Sequence, residues 1–257
     1  MGADYTFVDA LARDFPAPDL PAAAPAQVGD LALALGRDRP LDLADPALGT
    51  AVKTARSSWV RRVTVGSFDY FVKTYVYRTT WERLRGALRN TGPHHPGRAA
   101  REAAALAWLR QHGFSVPPVI GVVEQRRHGL LAVAILVTGA WPGESLDQLL
   151  PRLPRADCER LAAAVGEFVA ALHGVGFRDS NLDLRNLLAA RVGDRFALTK
   201  IDSPRFRTVR PGNTDDRRAR ADWARLLPQL AAFGLDAIAR AAAAACSATP
   251  APRRVVR

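Results

Sequence analysis

The sequence predicts an α+β chain in two parts: a small antiparallel sheet with helices beside it, then a reduced, mainly helical region. Three patterns carry this reading. Residues 59–65 and 68–77 are rich in β-branched and aromatic residues and are split by Gly66-Ser67, the make-up of a hairpin. Residues 155–174 place apolar residues at helical spacing along their whole length. Gly193-Asp194 separates two further short runs, a second hairpin signal. A chain of 257 residues has room for one large domain or for two lobes around a cleft.

Taken in order, residues 1–57 carry Pro16, Pro18, Pro21, Pro25, Pro40 and Pro46 among Ala, Asp and Leu. They are expected as an irregular extension with one short helix near 28–36. From Ser58 the pattern turns β-rich, and 58–138 is expected as the first lobe, built on a five-stranded sheet. After the hairpin come helical periodicity at 80–89, a Gly/Pro/His loop at 91–97, and a second helix that Gly113 stops near His112. Strand-like runs at 119–126 and 130–138 close the lobe. Residues 139–250 are expected as the second lobe. There Pro142-Gly143 breaks the chain, Ser145 caps a short helix, and the long helix spans 155–174. A loop at 176–185, strands at 186–191 and 195–201, and helices at 215–233 and 235–246 follow, before a basic tail at 251–257. Trp81, Trp108 and Trp223 sit among apolar neighbours in helical stretches and are expected in the core.

Composition narrows the class. With 48% hydrophobic and 24% charged residues the chain reads as an ordinary globular protein. Cys158 and Cys246 belong to no Cys-x-x-Cys or Cys/His cluster, which argues against a disulfide framework or structural zinc and for reduced thiols in the cytoplasm. The net charge of +11, mostly arginine, favours anionic partners: nucleotide, phosphorylated glycolipid or an acidic membrane surface. Nucleic acid is not expected, because no recognition-helix or stacking-aromatic pattern accompanies the charge. Residues 130–141 are apolar but too short to span a bilayer, and residues 1–10 lack the apolar segment of a secretory signal. The expected location is cytoplasmic, with peripheral contact at the inner face of the membrane. Met1-Gly2-Ala3-Asp4-Tyr5-Thr6 also fits the loose N-myristoylation pattern.

Four residues carry the chemistry. Lys73 stands alone as a cation in the strand-like Tyr70-Phe71-Val72-Lys73-Thr74-Tyr75, and Glu102 follows on an Ala/Leu-rich helical stretch. Far downstream come Asn186 and then Asp202, the latter just after the run Phe196–Ile201. Strand lysine, helix glutamate, loop asparagine and post-strand aspartate occur in the order of a kinase's phosphate and magnesium machinery. In that reading Lys73 holds the phosphates of ATP and Glu102 positions Lys73, while Asn186 and Asp202 offer hard oxygen ligands to Mg2+. The plain alternatives are an edge-strand lysine, a solvated helical glutamate and two turn-capping side chains. His94-His95 lacks Cys or carboxylate partners for a metal, and His173 reads as a structural hydrogen-bonder at a helix end.

The chain resembles the lipopolysaccharide kinase family, the heptose and Kdo kinases, within the protein-kinase-like superfamily. The resemblance runs from about Trp59 to Leu230. It rests on Tyr70–Lys73, Arg98-Ala99-Ala100-Arg101-Glu102, Trp108 to Pro117, Leu172-His173, Asn186-Leu187-Leu188, Ile201-Asp202-Ser203-Pro204-Arg205 and Ala221-Asp222-Trp223-Ala224-Arg225-Leu226. It implies a bilobal protein-kinase-like fold, with ATP near the connector at 138–143, Mg2+, and phosphorylation of a hydroxyl on a saccharide or glycolipid. It also implies that Asp222 braces the catalytic loop. Three departures stand out. The Gly-rich phosphate loop is reduced to Gly66, and the A-P-E segment that serves peptide substrates is missing. Counting back from Asn186 by the H-R-D-x-x-x-x-N spacing reaches Asn181, where the catalytic aspartate belongs. The acceptor-orienting carboxylate is then Asp183, or Asp179 if two residues are inserted, with Asp183 ranked slightly ahead. Local pairing of Asp183 with Arg185 or of Asp179 with Arg178 is the structural alternative for each. A protein Ser/Thr kinase and a nucleotide-binding pseudokinase are the rival readings.

Overall fold

The structure, a computed structural model, describes residues 24–248. The myristoylation pattern and the basic tail lie outside the described residues. Those described fall into two compact units, 24–107 with 117–141, and 108–116 with 142–248.

The first unit is a five-stranded antiparallel sheet in the order β1-β2-β3-β5-β4, formed by β1 (Thr50–Ala55), β2 (Ser58–Val65), β3 (Phe68–Val76), β4 (Val119–Arg127) and β5 (Leu130–Gly139). The β2–β3 turn is the expected Gly66-Ser67, and Gly66 takes φ 61°, a left-handed backbone that a side chain would resist. Strand side chains alternate between faces. On β3, Tyr70 and Val72 point into one apolar cluster with Leu31, Leu43, Leu48, Val63, Ile135 and Val137. Tyr75 points to the other face, where it packs with Ala99, Leu131, Ala134 and Leu136.

The helix α1 (Val28–Ala34) and a 3-10 turn at Pro40–Ala44 contribute Leu31 and Leu43 to the first cluster, both fully buried. Residues 24–57 are therefore part of this unit rather than the irregular extension expected up to residue 57. The short helix expected near 28–36 is present as α1; what the prolines hid is that it and the turn after it are anchored on the sheet. The expected 80–89 helix is shorter, α2 (Thr80–Arg85) followed by one π turn at Ala87–Thr91. Trp81 on α2 is not a core residue, since 71% of its surface is exposed. The helix α3 (Arg98–Gln111) lies where periodicity placed it.

In the second unit, β6 (Glu144–Ser145) leads into α4 (Leu146–Leu149), and Ser145 makes no side-chain cap there. The long α5 (Arg155–Gly174) buries Leu161, Val165, Phe168, Val169 and Leu172, one face at helical spacing. A Cβ at Gly166 would collide with the Ala239 carbonyl oxygen, so this glycine lets α5 approach α7 (Asp236–Ala248) closely. The segment expected as loop holds a two-residue strand, β7 (Phe177–Arg178), paired with β10 (Arg207–Thr208). The hairpin β8 (Leu187–Val192) and β9 (Arg195–Lys200) joins β6 in a three-stranded sheet, and α6 (Arg217–Ala231) precedes α7. Trp108 and Trp223 are half-buried, Trp108 against His112 and Phe177 and Trp223 edge-on to His173.

Leu43→Ala tests whether 24–57 is structural. Chemical denaturation is expected to show a loss of about 2–5 kcal/mol, the cost of a cavity in a closed core, whereas an unchanged midpoint would return these residues to a detached extension.

Candidate active site

Lys73 lies two residues before Tyr75 on β3, so strand alternation sends both side chains to the sheet face that α3 covers. On α3, Ala99, Glu102 and Ala103 share the facing side by their helical spacing. The result is an ion pair of 2.7 Å between Lys73 Nζ and Glu102 Oε2, with side-chain exposures of 19% and 6%. The Tyr75 hydroxyl donates to the same Glu102 oxygen at 3.3 Å, and the Arg98 guanidinium stands 5.1 Å from the Tyr75 ring centre. A glutamate so deeply placed is held in position by its partners, and it fixes the ammonium in turn.

The second unit gathers the other residues around the loop from Arg178 to Asn186. Asp222 on α6 is buried and accepts from the backbone amides of Asp179 (3.1 Å) and Ser180 (2.8 Å), with His173 Nε2 at 3.3 Å from the same carboxylate. That is the bracing expected of Asp222 and the structural role expected of His173. Ser180 holds φ 58°, a conformation that costs a non-glycine residue about 1–3 kcal/mol unless its surroundings impose it. The hydrogen bond from its amide to Asp222 does so. Asn181 Nδ2 donates to the Asp202 carbonyl at 2.9 Å, and Asn186 Nδ2 donates to the Asn181 carbonyl at 3.2 Å. The Ile201 amide donates to the Asn186 carbonyl at 2.9 Å, and Asp202 itself takes φ 59°. The structure thus brings Asn181, Asn186 and Asp202 into one hydrogen-bonded group.

The two carboxylates proposed to orient the acceptor have different surroundings. Asp183 accepts two bonds from Arg185, Nε at 3.0 Å and Nη2 at 2.9 Å, and Arg225 Nη2 stands 3.3 Å away. The Arg185 hydrogen bonds, ahead of all else, hold its carboxyl down at about 2. Asp179 is sealed from solvent, 3.1 Å from the ammonium of Lys200, which is itself fully buried and donates to the Ile201 carbonyl. Burial pushes the Asp179 carboxyl up, opposed by Lys200. The expected local pair of Asp179 with Arg178 does not form. Arg178, fully buried, instead bonds Asp216 and the carbonyls of His173, Phe177 and Asn213. Lys200 was missed in the sequence, where its one signal is a cation at the end of the apolar run Phe196–Thr199. Arg225 lies in a motif the resemblance rests on, but nothing pointed to its pairing with Asp183, 42 positions away.

The model of the phosphotransferase enzyme family, APH, matches residues 54–256. The chain belongs to the phosphotransferase enzyme family. Among solved structures, WaaP in complex with acyl carrier protein overlays at a TM-score of 0.61, with 21% identity over 86% of each chain. The Rio2 kinase–ADP/Mg2+–phosphoaspartate complex from Chaetomium thermophilum overlays at 0.47, with 16% identity over 79% of this chain and 62% of that one. No curated protein matches the sequence. The fold of this phosphotransferase is protein-kinase-like, as the sequence motifs implied.

In a kinase-like phosphotransferase the phosphates need a cation and the metal needs oxygens. The residues fit both needs. Lys73 is a half-buried ammonium held from behind by Glu102. Asn186 donates its amide nitrogen to the Asn181 carbonyl and still carries an amide oxygen, and Asp202, whose carbonyl accepts from Asn181, carries a carboxylate. Mg2+ takes one or two such protein groups and fills its shell with phosphate and water oxygens. Among the described residues no group of three or more His, Cys, Asp or Glu is assembled, His94 and His95 included.

Asp216 gives a pH test of the loop's support. It caps α6 through the amides of Arg218 and Ala219. Burial raises its carboxyl, but Arg178 and these amides outweigh that and hold it at about 2. A depressed carboxyl stabilises the fold fully above its ordinary range and loses the contribution as pH falls towards the folded value. Asp216→Asn is expected to lower stability at neutral pH by about 3 kcal/mol, the low end for stripping a partner from a buried charge. It should also flatten the acid limb between about pH 4 and 2 in denaturation curves.

Proposed function

We propose that the chain transfers the γ-phosphoryl group of ATP to a hydroxyl of a saccharide or glycolipid, in the manner of the lipopolysaccharide kinases. The observation that carries this is the Lys73–Glu102 pair at 2.7 Å, on the strand and helix where a kinase-like phosphotransferase needs its phosphate cation. ATP supplies the phosphoryl group, and bound Mg2+ offsets the charge of its phosphates. Lys73 takes the non-transferred phosphates, with Glu102 denying the ammonium other positions. Asn186 and Asp202 hold the metal, and Asn181 keeps the Asp202 turn in register through its carbonyl.

Asp183 orients the acceptor hydroxyl. With its carboxyl held at about 2, it is a weak base at neutral pH. It serves as a hydrogen-bond acceptor that aligns the oxygen, which a loose phosphoryl-transfer transition state demands more than early proton removal. Asp179, closed off against Lys200, positions the loop instead. A small or lipid-linked acceptor fits a chain that lacks the A-P-E segment of peptide-directed kinases.

One observation favours a second reading, a nucleotide-binding pseudokinase. Asn181 stands five residues before Asn186, and both nearby carboxylates are already ion-paired. Incubation with γ-labelled ATP, Mg2+ and a glycolipid-saccharide fraction separates the readings. Label is expected in the lipid or saccharide, and Asp183→Ala is expected to reduce it about 10²–10⁴-fold while ATP still binds. Label only in protein would point to a Ser/Thr kinase. ATP bound with no transfer to any acceptor would point to the pseudokinase.

A further inference from the structure

Three large apolar side chains that the phosphotransferase chemistry does not use lie on one short element. Trp81 and Leu84 on α2 and Leu88 in the π turn after it are 71%, 53% and 88% exposed. Their spacing of three and then four residues places them along one helical face. The other exposed apolar side chains, such as Leu33, Val52 and Val192, are scattered on separate elements.

The element beneath this face is firmly built. Thr79 and Glu82 close a reciprocal capping box, with Glu82 accepting from the Thr79 amide at 3.2 Å and from the Arg78 amide at 2.8 Å. Arg83 ties the helix back to the carbonyls of Tyr77 and Arg78, at 3.0 Å each. The buried Thr91 closes the far end on the Arg83 carbonyl. Such a scaffold presents its outer face in a fixed orientation.

We infer that this face is a membrane-docking surface, seating Trp81, Leu84 and Leu88 in the interfacial layer of an anionic bilayer. Charge selects the occupant. Among residues 78–88 the exposed Arg78 and Arg85 stand beside a single acid, Glu82, in a chain of net charge +11. Arginines beside an apolar stripe with a tryptophan make up an interfacial helix, where the ring and leucines sink and the cations meet lipid phosphates. A second copy of the chain suits the face poorly. It would bring like charge to like charge, and three side chains fall far short of the roughly 800 Å² per partner of a stable protein contact.

The inference is independent of which acceptor is phosphorylated, and its test needs no turnover. The full chain is sedimented with vesicles of phosphatidylcholine alone and of phosphatidylcholine mixed with phosphatidylglycerol, as wild type, as Trp81→Ala/Leu84→Ala/Leu88→Ala, and as Leu88→Trp. The wild type is expected to bind the mixed vesicles in preference to the neutral ones. The triple variant should bind about tenfold or more weakly, having lost most of its insertable apolar surface, and Leu88→Trp should bind as well as wild type or better. ATP affinity, measured on each protein, reports folding and the nucleotide site separately. Equal vesicle binding by wild type and triple variant would overturn the inference, as would no binding by wild type. A concentration-dependent oligomer abolished by the triple variant, without vesicle binding, would assign the face to self-association instead.

Discussion

The candidate site depends on one buried carboxylate. Asp222 receives the amides of Asp179 and Ser180 and faces His173, and so holds the loop through the left-handed turn at Ser180. Everything downstream hangs from that turn. Asn181 follows at once and takes the Asp202 carbonyl, Asn186 takes the Asn181 carbonyl, and the Ile201 amide returns to Asn186. A carboxylate in a site closed to water is tolerable only when donors surround it. The same donors that make Asp222 tolerable therefore fix the backbone of the loop. Arg178 repeats this arrangement with the signs reversed, a buried cation enclosed by Asp216 and three carbonyl oxygens.

Two kinds of carboxylate result, and their environments assign them different work. Asp183, hydrogen-bonded by an arginine that reaches solvent, stays ionised and able to accept a hydrogen bond. Asp179, buried against Lys200, links the loop to the end of the strand that leads to Asp202. The choice between them was open from spacing alone, because both lie within seven residues of Asn186. Burial decides it.

How much was legible follows the range of the interactions. The hairpins and the long α5 were legible from local periodicity, whereas the Lys73–Glu102 pair, 29 positions apart, was legible through the kinase order of a strand lysine followed by a helix glutamate. Arg185 beside Asp183 is a local pair and was weighed as one. Lys200, Asp216 and Arg225 were not legible as partners, since each meets its carboxylate or cation across 21 to 42 positions of sequence. Trp81 was misread because apolar periodicity looks alike on a core face and on an exposed one. In residues 24–57 the short helix was legible but its place in the core was not, because the burial of Leu31 and Leu43 comes from the sheet and not from their own helix or turn.

The central claim is that Lys73 is a phosphate ligand held ready by Glu102, rather than an ordinary strand lysine. Titration calorimetry of ATP with and without Mg2+, on wild type, Lys73→Ala and Glu102→Gln, tests it most directly. The expected result is Mg2+-dependent binding by wild type, loss by Lys73→Ala, and weakened binding by Glu102→Gln. ATP binding that ignores both substitutions in correctly folded protein would contradict the account.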